Sequence, residues 1–347
     1  MSPTSNAVIE VHDLVKTYGE THAVDGVSFA VDRGELFGFL GPNGAGKTTT
    51  IRILSTLLKP TAGGARVAGF DVTAEPGEVR KRLGLAMQTA TLDAFSTGRE
   101  TLELAGHLHR MPPREIRRRT DELLELMGLQ GAGKKLTGKY SGGMKRRLDL
   151  AAALMHRPEV LILDEPTEGL DPQSRTALWE ELERINAEGT TMLLTTHYME
   201  EADRLCSRLA IIDAGRVAVD GRPEELKAAV GADTVVVRVG GRAAPVGDAA
   251  TGVKDGAPDA DARRARFCGL LDGLVPCEAV ATADGEVTLS VVDAGAAIPG
   301  ILRRLDGHGL DVTDLRMSRP SLDDVFLQYT GRHIREEAAD QPIIMGF

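Results

Sequence analysis

The chain has 347 residues, 42% of them hydrophobic and 27% charged, which is typical of a globular protein with room for two or three domains. The net charge of −10 argues against a nucleic-acid-binding surface, and the three cysteines show no metal-ligand spacing and fit a reducing compartment. The polar first residues and the absence of a long apolar run predict no secretory signal and no membrane span, so we expect a cytoplasmic protein that reaches a membrane only through a partner.

The first predicted elements are short strands between Val8 and Val31, separated by polar turns. Tyr18 is placed in the turn that follows Leu14 and Val15. An aromatic ring at that position either stacks on a purine base or packs at the end of a strand. From the residues alone, both interpretations remain open.

A glycine-rich segment fits the phosphate-binding loop pattern G-x-x-x-x-G-K-[ST] without substitution. Its residues are Gly41, Pro42, Asn43, Gly44, Ala45, Gly46, Lys47 and Thr48. Glycines allow successive backbone N–H groups to face one phosphate chain, the lysine adds a positive charge, and the threonine hydroxyl suits Mg²⁺. An apolar strand precedes the loop and a helical spacing of apolar residues follows it, so the sequence predicts a nucleotide site.

Two further strands are predicted from Val67 to Val72 and from Leu83 to Met87, and Gln88 follows the second. Thr97 and Glu100 have the spacing of a capping box at the start of a helix. With the helices that follow, this predicts a helical insert at about residues 95–156 within an α/β domain.

Ser141, Gly142 and Gly143 open the last helix of that insert. The serine is typical of a helix N-cap. A hydroxyl and bare glycine amides at a helix N-terminus also suit a phosphate, so a second anion site is the alternative. Spacing alone favours the cap.

Asp164 and Glu165 follow four apolar residues, at the carboxyl end of a predicted buried strand where α/β sheets bind ligands. Neighbouring strand residues point to opposite sides, so the two carboxylates serve different purposes. Asp164 fits Mg²⁺ coordination, and Glu165 is then free to orient or deprotonate the attacking water.

Asp171 and Pro172 predict the start of another helix, and His197 follows the next strand. A histidine at that position either reaches a γ-phosphate or is a loop or cap residue, and the residues alone favour the loop or cap. After about Val230 the composition changes, and residues 241–265 are predicted to form a flexible loop. We therefore predict an N-terminal domain of residues 1–229 and an accessory domain of residues 230–347.

Residues 8–225 resemble the nucleotide-binding subunit of an ATP-binding-cassette (ABC) transporter. The family's motifs occur in its order: Tyr18, the loop from Gly41 to Thr48, Gln88, Ser141 to Gly143, Asp164 with Glu165, Asp171 and His197. Tyr140, Met144 and Glu168 depart from the family pattern. The C-terminal segment from Arg319 to Gly331 is similar to that of daunorubicin/doxorubicin-resistance ATP-binding proteins, which serve ABC-2 exporters of drugs or lipids.

The resemblance implies an α/β fold: a P-loop ABC cassette with a RecA-like core, an antiparallel β subdomain and a helical insert, followed by a small α+β accessory domain. It implies ATP and Mg²⁺ as ligands. The implied metal ligands are Thr48, Gln88 and Asp164, and Thr49 is implied to contact the phosphates. The residues implied in catalysis are Lys47, Gln88, Glu165 and His197. The implied partners are a second copy, which binds head to tail and contributes Ser141 and Gly143 to the other copy's ATP, and a membrane permease on the inner face of the cell membrane. The alternative function is a soluble ABC-family ATPase acting on nucleic acid or translation; we expect no nucleic-acid partner.

Overall fold

The computed structural model describes residues 6–89, 92–231, 233–240, 280–281, 286–291, 293–308 and 310–331. The chain divides into two units, one of residues 1–226 with 326–347 and one of residues 227–325. The functional boundary between residues 229 and 230 stays a prediction. The predicted flexible loop, Cys268 and Cys277 lie outside the described residues.

An antiparallel sheet of the first unit has the order β2-β1-β4-β5. Its strands are β1 (Ala7–Tyr18), β2 (Thr21–Asp32), β4 (Ala62–Val67) and β5 (Phe70–Asp71). The single strand predicted from Val67 to Val72 is wrong. Ala68 and Gly69 have φ values of 52° and 83°, and these left-handed residues reverse the chain so that Phe70 pairs with Val67.

A second sheet has the order β10-β9-β3-β8-β7-β6. Its strands are β3 (Leu36–Leu40), β6 (Leu83–Ala86), β7 (Val160–Asp164), β8 (Thr191–Thr196), β9 (Arg208–Asp213) and β10 (Arg216–Gly221). All neighbours are parallel except β9 and β10. Every residue of β3, β7 and β8 is buried, as in parallel sheets covered on both faces. The two sheets share a core in which the ring of Phe29 stacks on those of Phe37 and Phe39.

A set of helices is connected to these strands, and the last of them spans the boundary between the two units at residues 226 and 227. They are α1 (Lys47–Leu54), α2 (Pro76–Arg82), α3 (Gly98–Leu108), α4 (Pro113–Leu126), α5 (Gly142–Ala153), α6 (Pro172–Ala187), α7 (Met199–Leu205) and α8 (Pro223–Val230). The capping box of Thr97 and Glu100 is confirmed. Among the described residues, no helix combines the length and the apolar character that a bilayer crossing requires.

The second unit is built on an antiparallel sheet of order β12-β13-β11-β14. Its strands are β11 (Asp233–Gly240), β12 (Val280–Ala281), β13 (Glu286–Val291) and β14 (Asp311–Ser318), and α9 (Ala294–Gly307) lies between β13 and β14 in the sequence. The last described helix, α10 (Leu322–Thr330), begins in the second unit and ends in the first. The pattern of apolar residues at 234–239 and 286–292 predicts two strands, and these correspond to β11 and β13, although residue 292 itself lies outside the described residues. β14 was not predicted.

A stacked pair of imidazoles links the end of α3 to the residues after α5. The rings of His109 and His156 lie 3.7 Å apart, and burial, with the charge of His109, lowers the pKa of His156 from 6.5 to about 4. A histidine with a depressed pKa stabilises the fold above its unfolded pKa and loses that contribution as the pH falls.

We therefore expect the wild-type protein to lose about 2 kcal/mol of stability through His156 between pH 6.5 and pH 4, after allowing for partial solvent screening. His156→Gln retains a donor for the carbonyl oxygen of Leu83, which the imidazole contacts at 3.1 Å, but does not titrate. Urea unfolding at pH 7 and pH 4.5 measures the difference. An equal loss of stability in both proteins would contradict this assignment.

Candidate active site

The glycine-rich loop joins β3 to α1, as predicted, and two of its glycines are required by their surroundings. A Cβ atom at Gly41 would lie 2.3 Å from the carbonyl oxygen of Ile212, and one at Gly46 would lie 2.4 Å from that of Ala23. Gly46 also has a φ of 107°, which side chains other than glycine rarely adopt. The loop is thus held against β2 and β9 by contacts that only glycine permits.

Gly46→Ala is expected to destabilise the protein by about 3 kcal/mol or more, because strain and a clash with the backbone occur together. Gly77→Ala is the matched control, because a Cβ atom at that α2 residue meets nothing within 4 Å. There, alanine is expected to stabilise the helix by about 0.5 kcal/mol. Urea unfolding midpoints measure both changes, and equal midpoints for the two variants would contradict the account of the loop.

Lys47, the first residue of α1, directs its ammonium group back into the loop. It donates hydrogen bonds to the carbonyl oxygens of Gly41 at 2.7 Å and Pro42 at 3.0 Å, and lies 3.4 Å from Oε1 of Glu165. Burial lowers the pKa of Lys47, and the charge of Glu165 opposes that shift. The cation is therefore fixed beside the loop amides that would face a phosphate chain.

Asp164 and Thr48 provide a donor set that fits Mg²⁺. Oδ1 of Asp164 accepts hydrogen bonds from Thr195 Oγ1 at 2.6 Å and from Thr48 Oγ1 at 3.5 Å. Oδ2 of Asp164 is buried without a hydrogen-bond partner. An unpaired buried carboxylate oxygen beside a threonine hydroxyl is a suitable environment for a hard divalent cation.

Glu165 lies at the centre of a cluster of polar side chains. Its carboxylate is 3.3 Å from Nδ1 of His197 and 3.5 Å from Nε2 of Gln88, in addition to its contact with Lys47. Burial alone would raise the pKa of Glu165, but the neighbouring imidazole of His197 and ammonium of Lys47 hold it below its ordinary value. The carboxylate is therefore ionised at neutral pH and can accept a proton or a hydrogen bond from water.

The backbone of Glu165 is unusual as well. Its φ is 47°, and its amide donates to the backbone oxygen of Thr195 at 3.0 Å. Left-handed backbone at a residue other than glycine costs about 1 kcal/mol or more and is concentrated at functional sites. Glu165 immediately follows β7, and its carboxylate has different partners from that of Asp164. This agrees with the prediction that the two carboxylates serve different purposes.

Ser141 caps α5, with its hydroxyl accepting a hydrogen bond from the amide of Met144 at 3.3 Å. A Cβ atom at Gly142 would meet nothing within 4 Å, whereas one at Gly143 would lie 2.8 Å from Oγ of Ser174. The N-cap interpretation is thus confirmed, and the anion site stays a prediction. The N-terminus of α5 is therefore open at Gly142, in the sense that this residue is exposed and has free space beside it.

Tyr140, a departure from the family pattern, is accommodated by a glycine. Its buried phenol donates a hydrogen bond to the carbonyl oxygen of Ala132 at 2.8 Å. A Cβ atom at Gly98 would lie 2.2 Å from that phenolic oxygen, so the tyrosine fits because residue 98 has no side chain.

Two other predicted site residues have local roles in this chain. Tyr18 is the last residue of β1 and pairs with Thr21 of β2, so its predicted position in a turn is wrong: the antiparallel pairing extends the strand to Tyr18. Its side chain is half exposed, with the ammonium of Lys16 5.2 Å from its ring centroid. Asp171 caps α6, accepting hydrogen bonds from the amide of Ser174 at 3.0 Å and from its hydroxyl at 2.6 Å. These hydrogen bonds lower the pKa of Asp171.

The structure brings together Lys47, Thr48, Gln88, Asp164, Glu165 and His197. Sequence reasoning missed Thr195, Arg146 and Glu201. A threonine inside a buried strand must find a hydrogen-bond partner, and that signal points to Thr195. Trp179 has the spacing of a core residue on α6 and is buried, and its indole nitrogen donates to Oε1 of buried Glu201 at 3.0 Å.

Two family profiles match the sequence. One, described as ABC transporter, covers residues 24–168, and the other, described as the C-terminal domain of DrrA1-3-like ATP-binding proteins, covers residues 269–330.

Similar proteins match along almost the whole chain. Daunorubicin resistance ATP-binding protein DrrA2 of Streptomyces coeruleorubidus is 45% identical over 96% of this chain and 98% of its own. Daunorubicin/doxorubicin resistance ATP-binding protein DrrA of Streptomyces peucetius is 39% identical over 98% and 99%. Nod factor export ATP-binding protein I of Ralstonia nicotianae is 38% identical over 96% of both chains.

Among solved structures, a dimeric post-hydrolysis state of an ATP-binding cassette bound to ADP and Pi has a TM-score of 0.57 and 27% identity. It matches 62% of this chain and 98% of that one. The fold, the clustered site and these similarities identify the chain as a member of the ABC transporter family of ATP-hydrolysing subunits, in the group of daunorubicin/doxorubicin resistance ATP-binding proteins.

Proposed function

We propose that this subunit binds Mg·ATP between two head-to-tail copies and uses its hydrolysis to power export of a drug or lipid-like compound through a separate permease. The observation that carries the proposal is the convergence of Lys47, Gln88 and His197 on the ionised carboxylate of Glu165 at the edge of the phosphate-binding loop. The cluster supplies a phosphate-binding cation and a base for water in one place.

In this proposal Lys47 exchanges partners when ATP binds. Its ammonium contacts Glu165 and two loop carbonyl oxygens in the chain alone, and the phosphate oxygens compete for the same charge. Glu165 then orients and deprotonates the attacking water, while His197 contacts the γ-phosphate. Thr48 and Asp164 would hold Mg²⁺, with Gln88 beside them, and the bound cation would supply positive charge against the phosphates.

The second copy completes the site through the start of α5. Gly142 is open in this chain, and the amides and serine hydroxyl at a helix N-terminus favour an anion. The dimeric, ADP- and Pi-bound cassette supports such an arrangement. ATP then links the two copies, and its cleavage into two anions favours their separation.

The names of the relatives support an exported substrate. They refer to resistance to daunorubicin and doxorubicin and to export of a Nod factor, which motivates the proposal of a drug or lipid-like cargo. The subunit then lies at the inner face of the cell membrane, held there by its permease. The start of the helical insert, next to Gln88, is the proposed contact with that permease.

The proposal is tested by co-expressing the chain with a candidate ABC-2-type membrane permease and measuring efflux of daunorubicin from cells. Efflux is expected with the wild-type subunit and expected to vanish with Glu165→Gln at equal protein level. Efflux that does not depend on Glu165 would contradict the proposal. If nucleic acid instead stimulates the purified wild-type ATPase in a salt-dependent manner, the nucleic-acid alternative is favoured.

A further inference from the structure

Arg146, in the first half of α5, is a buried cation that the proposed chemistry does not use. Its side chain is 8% exposed. Nε donates to the carbonyl oxygen of Pro166 at 2.8 Å, Nη2 donates to that of Asp164 at 2.9 Å, and Nη1 donates to that of Met87. One guanidinium thus ties α5 to the ends of β6 and β7.

These three acceptors flank the residues at the centre of the site. The carbonyl of Asp164 belongs to the same planar peptide unit as the amide of Glu165, and the carbonyl of Met87 belongs to the same unit as the amide of Gln88. The carbonyl of Pro166 lies on the other side of Glu165. Holding these oxygens therefore restrains the peptide group before Gln88 and the backbone on both sides of Glu165.

Glu165 needs such support because its φ of 47° is strained. A strained conformation persists only where the surroundings over-determine it. The amide of Glu165 is held on one side by Thr195, and the carbonyls before and after it are held by Arg146.

The electrostatics of Arg146 argue against a purely stabilising role. Its ion-pair partner, Oδ2 of Asp149, is 3.5 Å away, and burial raises the pKa of Asp149 to about 6. Removing a cation and a carboxylate from water is unfavourable, and such buried pairs are often no more stable than apolar replacements. The rigid fork of the guanidinium, in contrast, suits several fixed acceptors at once.

We propose that Arg146 is a positioning residue that holds the backbone of Gln88 and Glu165 in the geometry required for ATP hydrolysis. The inference rests on the hydrolytic role proposed for Glu165. Because Arg146 follows Gly142 and Gly143 by one turn of α5, the helix that would contact the second copy's ATP also fixes Glu165 of its own site.

The main test compares Arg146→Lys with Arg119→Lys. Arg119, on α4, is a matched control: its side chain is 16% exposed, it donates to the carbonyl oxygen of Leu154 at 3.3 Å, and it pairs with Glu122 at 3.2 Å. Lysine keeps the charge but cannot reach the three carbonyls that the fork reaches. We expect Arg146→Lys to lower kcat for ATP by about 10- to 100-fold, with the Kd for a non-hydrolysable ATP analogue changed by less than about threefold. Arg119→Lys is expected to keep kcat within about twofold of the wild-type value.

A double-mutant cycle then asks whether Arg146 acts through Glu165. If it does, Arg146→Lys lowers hydrolysis in the wild-type background but has little further effect in Glu165→Gln. If Arg146→Lys is unfolded at the assay temperature, the pair Arg146→Gln with Asp149→Asn removes both charges and keeps donors, and the same loss of kcat is expected.

Four outcomes would count against the inference or its basis. A folded Arg146→Lys with wild-type kcat, or equal losses of kcat in Arg146→Lys and Arg119→Lys, would overturn it while leaving the proposed function intact. Additive losses in the cycle would also overturn it, since Arg146 would then act elsewhere. Near-wild-type hydrolysis by Glu165→Gln would instead refute the proposed role of Glu165, on which the inference rests.

Discussion

Replacement of Glu165 by Gln is expected to lower ATP hydrolysis by about 1000-fold while changing the affinity for ATP by less than about threefold. Glutamine keeps the size of the side chain and can still contact His197 and Gln88, but it cannot take a proton from water. The ionised state of Glu165, held by its contacts with Lys47 and His197, is what the substitution removes. Steady-state phosphate release and an ATP titration measure the two quantities.

Glu168→Gln is the matched control for this substitution. Glu168 also accepts a hydrogen bond from Nε2 of Gln88, but its side chain is exposed, whereas that of Glu165 is buried. We expect its turnover to stay within about threefold of the wild-type value, since surface charges contribute little. Near-normal turnover by Glu165→Gln would mean that another group activates the water.

Lys47→Ala is expected to weaken ATP binding by about 100-fold, the effect of losing one hydrogen-bonded charge at the phosphates. Its buried ammonium donates to the carbonyl oxygens of Gly41 and Pro42, and it is the one cation between Gly41 and Thr48, so alanine removes the positive charge of the loop. Titration with a fluorescent nucleotide measures the affinity. Lys81→Ala, which removes an exposed cation paired with Glu78, is the control and should bind as the wild type does. Unchanged affinity in Lys47→Ala would refute the phosphate-binding role of the loop.

Much of this site was predictable because its signals are local. The loop from Gly41 to Thr48 has a fixed spacing, and its glycines are needed where the chain passes close to Ile212 and Ala23. Asp164 and Glu165 follow a run of apolar residues that ends at the ligand-binding edge of a parallel sheet. The helix caps at Thr97, Ser141 and Asp171 depend only on residues three positions apart.

What sequence reasoning missed depends on contacts between distant segments. Arg146 lies in a basic run that is typical of a solvated helix face, and only the fold shows that it reaches Met87 and Pro166. Tyr140 fits because of Gly98, 42 positions away in the sequence. The turn at Ala68 and Gly69 depends on backbone angles that apolar periodicity does not record. Local patterns therefore predicted which residues react, but not which residues hold them.

The central claim is that each ATP site is shared between two copies, and complementation of two inactive variants tests it most directly. Lys47→Ala disables the loop of its own copy. Gly142→Asp places a negative charge at the open N-terminus of α5. The charge is favourable for the helix dipole, but it repels the phosphate of an ATP molecule bound to the other copy. Each variant alone is expected to be inactive.

When the two variants are combined in equal amounts, some dimers contain one copy of each variant. In such a mixed dimer, one ATP site carries both defects and the other carries neither. We expect the mixture to recover about a quarter of the wild-type ATPase rate, since half of randomly paired dimers are mixed and each has one intact site of two. A mixture that stays as inactive as its components would show that each copy builds its site alone, which would contradict the shared site.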